Sequence, residues 1–267
     1  MLNASAIQAA LGQARLGREI RALGSITSTS DIAWAWADAG CDEGLTVFAD
    51  QQIRGRGRFG RSWHCPRGRG VLVSVVLRPP EGIGPEHLTA VGALAVAETA
   101  EAVAELPARI RWPNDVTVGG RKLAGVLVER RGRAAAPAVC VVGIGLNVNL
   151  TPGELPAAVG PATSLSAEGG QEFVLERVAA TLLRRLDARY YETCGSQWRD
   201  VAEAWRARCG LVGEVAEVEV NGQRLRGTVT ALDPLAGLDL MLEGGGRRRC
   251  GAEAATVVQA AQAVKRG

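Results

Sequence analysis

The chain has 267 residues, 47% of them hydrophobic, and a formal net charge of +3. A chain of this length and apolar content can bury a full core, so we expect a globular protein with one large domain, or with a large and a small one. The small net charge excludes a generally basic surface of the kind that coats nucleic acid.

The cysteines and the apolar segments indicate the cellular compartment. Six cysteines are spread along the chain without a CxxC pair, which argues against a zinc site and against a dense disulfide framework. No apolar run approaches the roughly 20 residues of a membrane span, and the chain does not open on a basic region followed by a hydrophobic signal core. We therefore expect a cytoplasmic protein that binds neither nucleic acid nor a membrane.

The first part of the chain alternates predicted helices and strands. Residues 5–21 have helical character, and Asp31 follows a Ser/Thr cluster as the expected N-cap of an Ala/Trp-rich helix. Two apolar, β-branched segments, residues 45–48 and 71–77, are predicted strands. Apolar residues at near-helical spacing predict a helix over residues 85–106.

A hairpin is predicted next. After a strand at residues 109–112, the segments 116–118 and 121–129 meet at Gly119-Gly120, which is a two-residue hairpin signal. The turn sets the register of three pairs: Val118 with Arg121, Thr117 with Lys122, and Asp115 with Ala124.

Residues 139–150 form another β-rich run, and residues 172–191 are a predicted helix. This helix carries an i, i+4 stripe of apolar side chains: Val174, Val178, Leu182 and Leu186. A shorter helix reaches to about residue 208, and beyond Gly210 short strands alternate with turns. The pattern predicts an α/β domain at 1–208, with an N-terminal segment at 1–24, and a small β-barrel at 209–267.

The most informative segment is residues 54–69, RGRGRFGRSWHCPRGR, which interleaves six arginines with four glycines between two predicted strands. Glycine permits close backbone approach, and arginine offers a planar charged fork that matches phosphate or carboxylate oxygens. The segment is therefore predicted to hold an anion.

Two other interpretations of this segment fit its sequence context less well. Gly55, Gly57 and Gly60 satisfy the dinucleotide-binding signature G-x-G-x-x-G, but the chain continues through Trp63 toward a strand rather than into the helix that holds pyrophosphate in that fold. A disordered RGG-like RNA-binding segment would be long and solvated, whereas this one is enclosed by Trp63 and an apolar strand.

The hairpin register places Lys122 and Asp115 on one face, as diagonal neighbours roughly 7 to 8 Å apart at the backbone. An ordinary cross-strand ion pair, worth well under about 1 kcal/mol, is the alternative. A tight polar turn precedes the hairpin, and an arginine-rich loop is expected nearby. We therefore favour a role for both side chains in acyl-phosphate chemistry.

The segment GIGLN, residues 143–147, could be a buried strand whose small residues serve packing, and taken alone that is the better interpretation. Asn147 is the exception. A lone amide in an apolar strand needs hydrogen-bond partners, and it could recognise a base or a ureido edge.

Four segments in this order resemble the biotin protein ligases: Gln52 with GRGRFGR at 55–61, WPND at 112–115, RKLAGVLVE at 121–129, and GIGLNVN at 143–149. Ser28-Thr29-Ser30 stands where that family has a Ser-Thr-Asn that helps to bind biotin. The resemblance covers about residues 25–260. It implies an α/β (α+β) fold with a mixed, largely antiparallel sheet flanked by helices and a small C-terminal SH3-like β-barrel, in which residues 1–208 are the catalytic domain.

The resemblance implies a two-step reaction. The carboxylate of biotin attacks the α-phosphate of ATP and releases pyrophosphate, and a lysine amine of a biotin carboxyl carrier protein then attacks the biotinyl-adenylate. Mg²⁺ normally accompanies the ATP. Fixed positive charge suits this chemistry because a carboxylate and a triphosphate repel each other.

The resemblance also implies site residues. Those expected to bind biotin or its acyl-phosphate are Ser28, Thr29, Ser30, Gln52, Arg56, Gly57, Arg58, Lys122 and Gly125. Those expected to bind ATP or the adenylate are Gly55, Arg56, Trp63, Asn114 and Asn147. The expected catalytic residues are Lys122, Arg58 and Asp115, of which Asp115 would act on the acceptor amine or help to hold magnesium. No metal ligand is assigned. The arginine loop is expected to be mobile without ligand, because its charges repel one another.

Three positions depart from the family pattern. Ser30 replaces the usual Asn, Arg111 stands where Lys usually precedes WPND, and Cys65 stands where Ser is common. None of these changes removes a core charge, although Arg for Lys alters reach and hydrogen-bond geometry. Only about 25 residues precede the Ser/Thr cluster, too few for a winged helix-turn-helix, so a ligase without a DNA-binding domain is expected.

Two alternatives to a biotin ligase stay open. One is a non-catalytic sensor of biotin or biotinyl-adenylate, against which Lys122 and Asp115 argue. The other is a lipoate or octanoate ligase or transferase of similar architecture, whose acyl chain would need a deeper apolar pocket. A homodimer through the edge of the main sheet is plausible, because residues 139–149 are strand-rich and apolar.

Overall fold

The computed structural model describes residues 2–132, 138–155 and 161–260. Its helices are α1 (Ala4–Leu11), α2 (Thr29–Asp38), α3 (Pro85–Ala104), α4 (Leu165–Gly169), α5 (Leu175–Cys194) and α6 (Trp198–Cys209). The predicted helices at 85–106 and 172–191 are confirmed as α3 and α5. Three residues of the predicted stripe, Val178, Leu182 and Leu186, are buried, whereas Val174 caps α5 and is exposed.

The strands of the larger sheet and of a short hairpin are β1 (Ile20–Ile26), β2 (Thr46–Gln52), β3 (Gly55–Arg56), β4 (Ser62–Trp63), β5 (Gly70–Leu77), β6 (Arg109–Arg111), β7 (Asp115–Val118), β8 (Arg121–Arg131) and β9 (Val139–Asn147). The larger sheet has seven strands in the order β1-β2-β5-β9-β8-β7-β6. β1 and β2 pair in parallel and the other neighbours pair antiparallel, so the predicted mixed, largely antiparallel sheet is confirmed.

Helices cover both faces of this sheet. α3 and α5 lie on one face and bury the side chains of Val75 and Ile144. α2 lies on the other face, where Trp34 packs in one cluster with Val47 and Val76. Neighbouring residues of a strand thus face different helices, as the alternation of strand side chains requires.

The C-terminal strands form a separate sheet. They are β10 (Val215–Val220), β11 (Gln223–Asp233), β12 (Gly237–Leu242), β13 (Arg247–Cys250) and β14 (Ala255–Ala260), in the order β13-β12-β11-β10-β14. All neighbours are antiparallel, so the short strands predicted beyond Gly210 are confirmed as one C-terminal antiparallel sheet. The sheet contacts the rest of the chain where the Val257 N–H donates to the Trp112 carbonyl at 3.2 Å.

The predictions for the N-terminal region need two corrections. The helix predicted at residues 5–21 ends at Leu11, because Gly12 and Gly17 take positive φ, and β1 follows in parallel with β2. Pairing with a buried strand outweighs local helix propensity there. The N-cap of α2 is Ser28, whose hydroxyl accepts from the Ser30 N–H at 3.3 Å, and Asp31 lies in the first turn, where the helix dipole favours a negative charge.

The predicted hairpin between β7 and β8 is confirmed, with one change of register. Val118 pairs with Arg121 and Thr117 with Lys122, as predicted. Asp115 pairs with Gly125 rather than with Ala124, because a β-bulge leaves Leu123 without a partner. The bulge places the Leu123 side chain in the core.

The surface proposed for a homodimer is wrong. Residues 139–149 include β9, which lies between β5 and β8 in the middle of the sheet, and the edge strands are β1 and β6. The apolar character of β9 reflects burial between two neighbours and two helical layers. In the part of the chain that the structure describes, no helix is long and apolar enough to cross a membrane.

Candidate active site

Two glycines of β9 open a cavity on the α2 side of the sheet. Ile144 faces the core beneath α3, so its neighbours Gly143 and Gly145 face the opposite side. A Cβ at Gly143 would lie 3.1 Å from Ser30 Oγ, and one at Gly145 would lie 2.5 Å from Nε1 of Trp63. The cavity, counted with its open mouth, has a volume of about 1160 Å³. The small residues of the GIGLN segment therefore make room for a ligand as well as serving packing.

The structure brings the predicted site residues together. Those that line the cavity are Ser28, Thr29, Ser30, Gln52, Arg56, Gly57, Arg58, Trp63, Asn114, Asp115, Lys122, Gly125 and Asn147. Gly55 is the exception. It is required where β3 pairs with β4, because a Cβ there would overlap the carbonyl oxygen of Trp63.

The arginine-rich loop folds as a hairpin. β3 and β4 pair antiparallel, and Phe59 (φ 56°) and Gly60 (φ 71°) make the left-handed tip. The Gly57 N–H closes the tip by donating to the Arg61 carbonyl at 2.6 Å. The chain makes only a short 3₁₀ turn at Arg58–Gly60 and does not enter an α-helix here, which agrees with the rejection of a dinucleotide-binding turn.

Arg56 lies between two acidic side chains at the mouth of the cavity. Its guanidinium donates to Asp31 at 2.5 Å and to Glu129 at 3.2 Å, and Trp34 Nε1 also donates to Glu129 at 3.2 Å. Burial works against the charge, but the hydrogen bond to Asp31 and the charge of Glu129 outweigh it, so the pKa of Arg56 is raised. The side chain stays cationic and close to the ligand space.

Arg58 reaches from the hairpin to the turn between β13 and β14 of the C-terminal sheet. It donates to Asn114 Oδ1 at 3.2 Å and to the Ala252 carbonyl, and its guanidinium lies 4.5 Å from the ring centre of Phe59. Burial lowers the pKa of Arg58, although the charge of Asp115 opposes this. The contact with Ala252 gives the C-terminal sheet a part in the site that the sequence did not predict.

The expected repulsion among the loop arginines is offset by their partners. Arg56 is paired with acidic side chains, and Arg58 donates to Asn114 and to the Ala252 carbonyl. Arg61 lies 3.8 Å from Glu219. Arg69 turns away from the cavity to Glu154 and Glu172, at 3.2 and 3.3 Å. The loop arginines therefore do not form one cluster, and Arg56, Arg58 and Arg61 are the members that line the cavity.

Asp115 is held between two cations. Lys122 Nζ lies 2.7 Å from Asp115 Oδ1, and the Arg111 guanidinium donates to Oδ2 at 3.0 Å from the opposite position on β6. Lys122 Nζ is also 5.4 Å from the ring centre of Trp63. The predicted Lys122–Asp115 neighbourhood is thus confirmed, and it lies in the cavity rather than on open surface. Arg111, which the sequence left without a role, completes the cluster.

Two polar atoms of the cavity wall have no hydrogen-bond partner among the described residues. Asn147 donates through Nδ2 to the Thr163 carbonyl at 2.9 Å, which leaves its buried Oδ1 unpaired. The indole Nε1 of Trp63 is likewise unpaired. One is an acceptor and the other a donor, so both suit a polar ligand such as a nucleobase or a urea.

Some lining residues are not among the site residues predicted from the sequence. They are Phe59, Arg61, Ser62, His64, Val126, Leu127, Ala162 and Thr256. Ala162 reaches the cavity because it forms an isolated parallel bridge with Lys122, and Thr256 reaches it from β14. Both depend on tertiary contacts between segments that are distant in sequence.

Cys65, one of the departures from the family pattern, is buried beneath the loop, and burial raises the pKa of its thiol to about 12. Because the thiolate is the reactive form, we expect iodoacetamide to leave Cys65 unmodified in the native protein at near-neutral pH and to modify it fully in urea. Peptide mass spectrometry measures both. Complete native labelling would show that Cys65 is accessible.

Known proteins resemble this chain over most of its length. The profile of the biotin/lipoate A/B protein ligase family matches residues 23–149. The biotin--[acetyl-CoA-carboxylase] ligase of Mycobacterium tuberculosis is 35% identical over 243 residues, which cover 86% of this chain and 85% of that protein. The bifunctional ligase/repressor BirA of Bacillus subtilis is 32% identical over 206 residues, which cover 76% of this chain and 62% of the relative.

A solved structure shares the fold. The biotin protein ligase from Aquifex aeolicus in complex with biotin and ATP superposes with a TM-score of 0.77 at 25% identity, over 90% of this chain and 98% of that one. The chain therefore belongs to the biotin/lipoate A/B protein ligase family and, within it, to the biotin protein ligases.

Proposed function

We propose that this chain activates biotin with ATP and transfers the biotinyl group to a lysine of a biotin carboxyl carrier protein. One observation carries the proposal: a single cavity joins the cluster Arg58, Arg111, Lys122 and Asp115 to a polar wall of Ser28, Thr29, Ser30 and Gln52. The cations suit a carboxylate meeting a triphosphate, and the polar wall suits the ureido ring of biotin.

In the first step, an oxygen of the biotin carboxylate attacks the α-phosphorus of ATP. The bond from that phosphorus to the leaving pyrophosphate breaks, and a mixed anhydride forms. Lys122 and Arg58 stabilise the charge that develops on the phosphate oxygens. Trp63, which lies over Gly145 and close to Gly125, covers the product and limits hydrolysis.

In the second step, the acceptor lysine amine attacks the acyl carbon and AMP leaves. Among the described residues that line the cavity, Asp115 is the only acidic one. Its carboxylate is therefore the group that takes up the amine proton. Arg111 and Lys122 hold this carboxylate in place through one oxygen each.

The cavity residues do not fit a resident magnesium site. Both Asp115 oxygens face cations, and no group of three His, Cys, Asp or Glu side chains within the described ranges could hold a metal ion. Mg²⁺ binds through carboxylates together with substrate phosphates, so we propose that any magnesium arrives with ATP. No step of the mechanism is derived through it.

We also propose a cellular location, a protein partner and a domain division. We propose a cytoplasmic location, which the six free cysteines support because thiols persist in a reducing compartment. We propose a carrier domain as the protein partner, and neither nucleic acid nor a membrane. We also propose that residues 1–208 and 209–267 are separate domains, with Arg58 bridging them.

The direct test is biotin-dependent exchange of labelled pyrophosphate into ATP. We expect exchange with biotin and ATP, and little with lipoate or octanoate in place of biotin. Exchange driven by lipoate or octanoate would assign the chain to that branch of the family. Biotin binding without exchange would instead identify a sensor.

A further inference from the structure

A chain of hydroxyl groups lies behind the polar wall of the cavity. Ser74, on β5, is fully buried, and its Oγ lies 2.8 Å from Thr29 Oγ1 and 3.1 Å from Ser30 Oγ. Thr29 Oγ1 lies 2.9 Å from Gln52 Oε1. Thr29, Ser30 and Gln52 line the cavity, so Ser74 connects three wall residues from behind.

One main-chain N–H group fixes the direction of each hydrogen bond in this series of hydroxyl groups. The Thr29 N–H can only donate, and it meets the Gln52 amide at 2.7 Å, so the Gln52 atom at that position is oxygen. The Thr29 hydroxyl must then donate to the same oxygen. A hydroxyl has one proton, so Thr29 accepts from Ser74, and Ser74 in turn accepts from Ser30.

The polarity of the cavity wall follows from these directions. Ser30 gives its proton to Ser74, so it presents only lone pairs to a ligand. The Gln52 oxygen already accepts two hydrogen bonds, so Gln52 presents the N–H groups of Nε2. We propose that Ser74 is a positioning residue that makes Ser30 an obligate acceptor, and that this wall selects a ligand with an N–H beside a carbonyl.

This inference rests on the proposed function, because the cyclic urea of biotin has that pattern and lipoate and octanoate have no N–H donor. A ligand without the N–H would leave Ser30 Oγ desolvated and unpaired, which is costly. Gly143 keeps the approach to this oxygen open, since a Cβ there would lie 3.1 Å from it. Ser30, which replaces the usual Asn of the family, thereby gains a role: an Asn amide could turn a donor toward the ligand, and this Ser cannot.

The test measures binding of three ligands by calorimetry: biotin, and the two cyclic carbamate analogues in which one or the other ureido N–H is replaced by oxygen. We expect the wild-type protein to prefer biotin over at least one analogue by about tenfold or more, because two acceptors would meet at Ser30. In Ser74→Ala, the Ser30 proton is free to turn toward the ligand, so biotin should bind about tenfold more weakly and the preference should shrink toward one.

Two further variants complete the design. Thr46→Val is the matched control, because it also removes a buried hydroxyl. The hydroxyl of Thr46, on β2, donates to the Gly44 carbonyl at 3.0 Å, away from the cavity wall. This variant should leave the preference unchanged. Ser30→Ala removes the acceptor itself and should lose the preference even if Ser74→Ala does not fold. An unchanged preference in folded Ser74→Ala, or in Ser30→Ala, would overturn the inference, whereas a wild-type protein that does not bind biotin would overturn the proposed function.

Discussion

Lys122→Ala is expected to slow formation of the adenylate by about 10²-fold, the usual effect of losing one positioned electrostatic contact. Lys122 Nζ lies 2.7 Å from Asp115 and beneath Trp63 in the cavity, so no neighbouring cation can take its exact place. Pyrophosphate exchange at saturating biotin and ATP measures this step without the carrier protein. Because Lys122 is partly exposed at the cavity, the fold itself should survive the change.

The adjacent residue supplies the control for Lys122. Arg121 pairs with Glu168 at 2.7 Å, half exposed and outside the cavity, so Arg121→Ala removes a cation one position away without touching the ligand space. A surface ion pair contributes about 0–1 kcal/mol, so its exchange rate should stay within about threefold of wild type. Equal rates for the two variants would remove Lys122 from the mechanism.

The family resemblance supplied most of the predicted cavity residues, and the turn geometry alone predicted that Lys122 lies beside Asp115. The two-residue turn at Gly119-Gly120 fixed which face of the hairpin carries Lys122, and the alternation of β9 determined that Gly143 and Gly145 share a side. These are local properties of strands and turns. They survive the β-bulge at Leu123, because the bulge moves the partner of Asp115 by one residue and leaves the Lys122 contact in place.

Other features depend on contacts between distant segments and had no local signal. Arg58 meets Ala252 across 194 positions of sequence, and the parallel pairing of β1 with β2 overrides the helical propensity of the N-terminal residues. The partners of the loop arginines are a third case. From sequence, six neighbouring positive charges predict repulsion, but the fold supplies Asp31 and Glu129 to Arg56 and Glu154 to Arg69.

Gly145→Ala is expected to lower the catalytic efficiency of adenylate formation by about 10- to 100-fold, the range that corresponds to an overpacking cost of about 1–3 kcal/mol. The added methyl group would lie 2.5 Å from Nε1 and 2.8 Å from Cζ2 of the Trp63 indole. Gly145 is paired on both sides within the sheet, with Leu72 and Gly125, and its φ is not positive, so the strand itself accepts alanine. The damage should therefore fall on the Trp63 cover and not on the fold.

Gly145→Ala should therefore lower activity without lowering the thermal stability of the fold. The melting temperature of Gly145→Ala should stay close to that of the wild type, because the strand conformation accepts alanine and the half-buried Trp63 indole can turn away from the new methyl group. Gly24→Ala, in β1 of the same sheet, is the control, because the nearest atom to its new Cβ lies 4.0 Å away. In a double-mutant cycle, Trp63→Ala removes the group that the methyl strikes, so adding Gly145→Ala to it should cost little more. If the losses of activity from the two substitutions are additive, Gly145 contacts the ligand directly and Trp63 does not pack on Gly145 during the reaction.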